Sequence, residues 1–158
     1  MTDIRAFLER HLQAIFDSDL ETYHATTVPE LTLYEWYITP NRIDGIPFHD
    51  FMMTEAARAG ATPLSGAALA QAGGEPRPAE TLRARRRFDL ANYAEQHYGD
   101  GPAAVTIASY TLLISHSAAA GVKVISYNES RVIIKFPDGL KVVHVHKSPS
   151  WNAPFQPQ

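Results

Sequence analysis

A chain of 158 residues with a net charge of −3 and no cysteine fits one domain with a core of its own. The missing cysteines exclude a disulfide framework, a thiolate zinc site and a cysteine nucleophile. The acidic balance argues against general nucleic-acid binding, which draws on phosphate neutralisation, and no apolar run reaches the length of a membrane span.

The first element in chain order is a helix. Ile4, Phe7, Leu8, Leu12, Ile15 and Phe16 recur at three- and four-residue steps, while Arg5, Glu9, Arg10 and Gln13 fall mostly on the other face. The same stretch lacks the apolar core of a secretory signal, so a soluble cytoplasmic protein is expected. Ser18 or Asp19 is placed to cap a short second helix over Leu20–His24, and Pro29 is expected to end that segment. Leu31–Tyr37 reads as a strand, with Leu31, Leu33, Glu35 and Tyr37 on one face and Thr32, Tyr34 and Trp36 on the other. The turn signal Asp44-Gly45 suggests a short partner strand over Thr39–Ile43. Pro47 suits the first turn of a third helix, roughly Pro47–Arg58, with Asp50 near its positive end.

From Ala57 onward alanine, glycine and proline dominate, which reads as a surface insertion reaching to about residue 86, with a short helix over Gly66–Ala72. The cluster Arg83, Arg85, Arg86, Arg87 reads as a solvated charged face. Everything beyond it reads as sheet. Phe88–Tyr98 is a strand with a kink expected near Asn92, Gly99-Asp100-Gly101-Pro102 is a turn, and Ala103–His116 and Val122–Phe136 are long strands joined by Ser117–Gly121. Tyr127–Phe136, the turn Pro137-Asp138-Gly139 and Leu140–His146 form one β-hairpin. Proline presets φ there, aspartate caps its own backbone and glycine takes a positive φ. Helices first and then long strands joined by turns make the chain α+β, with the helices covering one face of the sheet. Long strands in a small protein must curve, and Arg131 stands in the middle of one of them, on a face that can hold a ligand.

Four motifs occur in order: SDLETYH closing the N-terminal helices, IDGIPFHDFM, HYGDGPAAV, and ESRV followed by PDGLKVVHVHKS. They resemble the association (hub) domain of calcium/calmodulin-dependent protein kinase II, a member of the nuclear transport factor 2-like superfamily that also holds ketosteroid isomerases and polyketide cyclases. The resemblance covers nearly the whole chain apart from the insertion. It implies a cone made of a strongly bent antiparallel sheet around the N-terminal helices, and homo-oligomers, a dimer or larger ring, assembled through the sheet. Nothing in these residues resembles a kinase domain or a calmodulin-binding segment, so the resemblance implies no kinase activity. It also implies a polar pocket that takes small carboxylates. Arg131 matches the family's arginine of the penultimate strand, His49 the histidine of the third helix, and Tyr23 the tyrosine closing the second. Lys123 falls where a second arginine would lie, keeping the charge but losing the bidentate fork. Tyr110 stands in place of a third arginine and can still donate one hydrogen bond.

Two readings of Arg131 stay open: a ligand-binding guanidinium, or an internal ion pair with an acidic side chain such as Glu35. Both place it inside the cone. His144 and His146 share one face of the last strand, but with only His116 or Glu129 as conceivable additions the ligand set is incomplete, so no metal and no cofactor are expected. An isomerase- or cyclase-like enzyme is the alternative: Glu35 or Asp44 as base and Tyr34, Tyr110 or Tyr127 as donor, none at diagnostic spacing. A pure oligomerisation hub is the third reading. Tyr34, Trp36 and Tyr37 form an aromatic cluster expected in core or interface, and the tail Trp151, Pro154, Phe155, Pro157 either packs over a neighbouring subunit, which its two aromatics favour, or stays disordered.

Overall fold

The computed structural model describes residues 3–61, 86–118 and 121–150. The expected Gly66–Ala72 helix and the Trp151–Pro157 tail lie outside these residues, as do Arg83 and Arg85 and the side chains of Arg86 and His116.

Helix α1 (Ile4–Asp17) starts where the Asp3 carboxylate accepts the Ala6 N–H, and it ends at Ser18, which adopts a left-handed φ of 55°. Asp19, not Ser18, caps helix α2 (Leu20–Ala25) by accepting the Thr22 N–H. The stripe of α1 buries Ile4, Phe7, Leu8 and Leu12, together with His11 and Ala14.

Strand β1 (Thr27–Glu35) contains Pro29, which was expected to end the preceding segment. The proline is tolerated because the pairing of β1 skips between Thr27 and Thr32, so its missing N–H breaks no ladder bond. β1 also stops short of Tyr37: the Ile38 N–H turns back to the Glu35 carbonyl at 2.9 Å. The partner strand β2 shrinks to Ile43–Asp44, paired with Leu33 and Thr32. Helix α3 (Pro47–Ala61) follows. Among the described residues no helix is long and apolar enough to cross a membrane.

Strands β3 (Arg86–Tyr98), β4 (Val105–Ala118), β5 (Gly121–Phe136) and β6 (Gly139–Pro149) form a meander. The register of β3 on β4 slips between Ala91 and Ala94, where Asn92 takes a φ of 53°, the kink expected there. Gly139 takes a φ of 131° in the β5–β6 turn. The six-stranded sheet runs β2-β1-β6-β5-β4-β3. Among the described strands every pairing is antiparallel except β1 on β6, which are joined not by a hairpin but by the long path through β2, α3 and β3 to β5, and lie parallel. β2 and β3 remain edges, so the sheet is not closed into a barrel. The architecture is nonetheless the expected α+β one, a curved sheet with the N-terminal helices on its inner face.

The core lies between them. Leu8 and Leu12 of α1 meet Leu31 and Leu33 of β1, Leu112 of β4, Ile133 of β5 and Val142 and Val145 of β6. Each such side chain contributes about 1.5–3 kcal/mol by leaving water. One region of this inner surface is not apolar.

Candidate functional site

Strict alternation places the polar region. On β4 the inward positions run Thr106, Ala108, Tyr110, Leu112; on β5 they run Glu129, Arg131, Ile133; on β6 Val145 is followed inward by Lys147; on β1 Leu31 and Leu33 lead to Glu35. Pairing then aligns them across the sheet. Tyr110 sits opposite Glu129, Glu129 opposite Lys147, and Lys147 opposite Glu35. Opposite charges therefore face each other on three neighbouring strands.

Arg131 lies inside, with 1% of its surface exposed. Its Nε donates to the Tyr110 hydroxyl at 2.8 Å, its Nη1 to His11 Nε2 at 2.8 Å, and its Nη2 to Glu129 Oε2 at 3.4 Å. The Tyr110 hydroxyl donates in turn to the same Glu129 oxygen at 2.7 Å. Because His11 Nε2 accepts from the guanidinium, its Nδ1 must carry the proton and donate to Thr26 Oγ1 at 2.8 Å. Thr26 in turn donates to the Thr22 carbonyl. Burial, and then the charge of Arg131, push the His11 imidazolium pKa well below its ordinary value, in keeping with a neutral ring.

The second half is built around Glu35. Its Oε1 accepts from Lys147 Nζ at 2.7 Å and His49 Nε2 at 2.9 Å, and its Oε2 accepts from the Tyr37 hydroxyl at 3.2 Å. His49 Nδ1 meets the Tyr23 hydroxyl at 2.5 Å. Burial raises the Glu35 carboxyl, but His49 and Lys147 outweigh it and hold the group at about 2. Burial works against the charge of Lys147 too, yet Glu129 and Glu35 leave its pKa above the usual lysine value. Burial pushes the phenols of Tyr110 and Tyr23 far above the usual range, so both stay protonated donors. The two halves meet where Lys147 Nζ stands 3.9 Å from Glu129 Oε1, a buried oxygen without a hydrogen-bond partner.

Of the expected site residues, Arg131 and Tyr110 belong to the first half and His49 and Tyr23 to the second. Lys123 belongs to neither. It is exposed near the far end of β5, eight residues from Arg131, which is roughly 26 Å along an extended strand. The expected Arg131–Glu35 pair is also replaced: Arg131 meets Glu129, and Glu35 meets Lys147 and His49. The residues that sequence reasoning passed over are His11 and Lys147. A signal existed for each: His11 falls on the apolar stripe of α1, three and four residues from Leu8 and Phe7, and Lys147 continues the inward alternation from Val145. Asp44, the other candidate base, is exposed and bound to Arg42 at 2.6 and 3.2 Å. His144 and His146 point away from this site, onto the outer face, where Tyr34 joins them.

The family model of the calcium/calmodulin dependent protein kinase II association domain matches residues 1–62 and 81–151. The solved association domain of the C. elegans kinase is 23% identical, each chain covering 92% of the other, with a TM-score of 0.68. The S. rosetta kinase hub is 22% identical over 92% of both chains, with a TM-score of 0.63. A nuclear transport factor 2-like superfamily protein from Salmonella enterica is 17% identical over 97% of this chain and 93% of its own, with a TM-score of 0.57. At these identities the likeness to solved structures is one of fold. Among curated proteins none matches. With a family model that spans both sides of the insertion, the chain belongs to the calcium/calmodulin-dependent protein kinase II association domain family.

Proposed function

We propose that this protein is a self-associating module whose copies meet through the outer face of the sheet, and that its buried ion network holds the fold instead of a ligand. One observation carries the first statement. The outward positions alternate from Val105 to Ser115 on β4, from Val122 to Ile134 on β5, from His144 to Ser148 on β6, and through Thr32 and Tyr34 on β1. None of them is Asp, Glu, Lys or Arg, in a chain whose residues are 20% charged. A solvated sheet face alternates charge with its neighbours, whereas the centre of an interface is depleted of charge. Many of its polar groups are already matched: Thr111 Oγ1 donates to Asn128 Oδ1 at 2.9 Å, and the Ser109 and Ser130 hydroxyls lie 3.3 Å apart. Covering them therefore leaves few unpaired donors. Charge enters only at the margins of this patch, through Asp44, Arg87, Asp89 and Lys141, so its uncharged centre has no complement among charged partners but is complementary to itself, which points to a second copy. The hub-type fold neighbours support the same reading.

The interior supports a structural role. Each guanidinium nitrogen of Arg131 already has a partner, so a carboxylate ligand would have to displace Glu129. Glu35 is held ionised by two cationic or donor groups, the reverse of the raised carboxyl that an isomerase base of the Asp or Glu type uses.

Sedimentation velocity at pH 8 over a wide concentration range tests assembly. The wild type is expected to associate and Ser130→Arg to weaken association at least tenfold, since each copy would bury an unpaired charge. A wild type that stays monomeric at the highest concentration contradicts the proposal. Titration calorimetry with acetate, propionate and butyrate tests the interior. No Arg131-dependent heat is expected, and heat abolished in Arg131→Met would restore the ligand reading.

A further inference from the structure

The centre of the proposed contact face carries two imidazoles. β6 lies between β1 and β5, and His144 and His146 hold its outward positions. His144 Nδ1 lies 2.7 Å from Thr32 Oγ1, in register with Val132 on the other side. His146 stands between Tyr34 and Ser130. The Tyr34 ring packs against both, with centroids 6.2 Å from His144 and 5.2 Å from His146. The groups that face the pair are thus the Thr32 hydroxyl and Tyr34 phenol from β1, and uncharged Ser130 and Val132 from β5. The permanent charge that acts on His144 is Arg42, which is itself bound to Asp44.

Three other histidines differ in a telling way. His24, His49 and His97 each reach a carboxylate, at 2.7, 2.9 and 2.9 Å. Among the described residues, His144 and His146 have no such partner.

We infer that His144 and His146 make self-association sensitive to pH, the copies joining while the imidazoles are neutral and separating when they are protonated. This rests on the proposal that the outer face is covered by a second copy. In a two-fold contact the same patch meets itself, so protonation sets like charges against each other, and Asp44, the acid opposite Thr32 on this face, is already bound to Arg42. The sign follows from linkage. Burial, then the neighbouring His146, already push the His144 pKa below its ordinary value in one copy, and covering the face adds to that burial. A group whose pKa falls on association favours the associated form above its ordinary value and opposes it below. Assembly is then complete above about pH 6.5 and is lost as the pH drops through and below that value.

The experiment is sedimentation velocity of the wild type and of the double variant His144→Gln/His146→Gln at pH 8, 6.5 and 5, with far-UV circular dichroism at each pH to register the fold. The wild-type dissociation constant is expected to rise about tenfold or more per pH unit below 6.5, while the double variant keeps its pH 8 value. If the double variant does not assemble at pH 8, His146→Gln takes its place, and a shallower pH slope than the wild type is expected. A folded wild type that remains fully assembled at pH 5, or a variant that dissociates over the same range with the same slope, overturns the pH inference and leaves the assembly proposal standing. A wild-type monomer at pH 8 overturns both.

Discussion

Replacing Glu129 with glutamine keeps the side-chain shape and removes one of two buried carboxylates. In the wild type, Arg131 and Lys147 are balanced by Glu129 and Glu35, with Arg131 Nη2 at 3.4 Å from Glu129 and Lys147 Nζ at 2.7 Å from Glu35 and 3.9 Å from Glu129. After the substitution Glu35 alone must face both cations, and its Oε1 is already shared with His49. Removing one partner of a buried pair costs about 3–5 kcal/mol. The amide oxygen still accepts from Tyr110, so the lower end, about 3 kcal/mol, is expected. In a chain of this size that corresponds to a fall of about 6–12 °C in the unfolding midpoint, measured by scanning calorimetry. Arg131→Met is expected to cost a similar amount by stranding Glu129. The double variant Glu129→Gln/Arg131→Met restores neutrality and is expected to lose less than the sum, with a coupling of about 2 kcal/mol. A midpoint for Glu129→Gln within about 1 °C of the wild type, or strict additivity in the double variant, would refute the claim that the two charges act as one unit.

Three further outcomes follow from the same network. The Glu35 carboxyl is held at about 2, below its ordinary 4.5, so its contribution is present above the ordinary value and is lost as the pH falls towards 2. Urea denaturation between pH 5 and 2 is expected to show about 3 kcal/mol of lost stability from this group, and Glu35→Gln to flatten that slope; an unchanged slope contradicts the assignment. His11→Phe keeps an aromatic ring but removes the acceptor for Arg131 Nη1, and a loss of about 1.5–3 kcal/mol in urea denaturation is expected. Lys123→Ala is expected to stay within about 0.5 kcal/mol of the wild type, because the side chain is exposed and far from the network; a loss of several times that would mean Lys123 takes part after all.

Much of the fold was legible because local signals agreed with the tertiary answer. The stripe from Ile4 to Phe16 fixes the buried face of α1, Asn92 marks the slip in β3, and Pro137-Asp138-Gly139 closes the final hairpin. Arg131 was legible as an interior residue because period-two alternation gives its face without any knowledge of its neighbours. What alternation cannot give is which strands adjoin. The parallel pairing of β1 with β6 joins residues 112 positions apart, Glu35 and Lys147 among them, and no local pattern records that contact. Alternation does put Glu129 on the same face as Arg131, and Glu129, two residues away on its own strand, takes the place expected of Glu35. Pro29 misled for the opposite reason. Its local signal is strong, but the irregular start of β1 removes the penalty that the signal stands for. Lys123 was carried over as falling where the family's second arginine would lie, and β5 places it eight residues from Arg131.

The absence of natural cysteine allows the contact face to be probed with a single thiol. Ser130→Cys, at the centre of the outer face, and Asp138→Cys, at the exposed β5–β6 turn, can be alkylated at concentrations above and below the association midpoint. Protection of the thiol at position 130 that appears only in the associated protein, with the one at 138 reacting freely throughout, is the result predicted for copies joined through the sheet. Equal reactivity of both positions in a fully associated sample would contradict it.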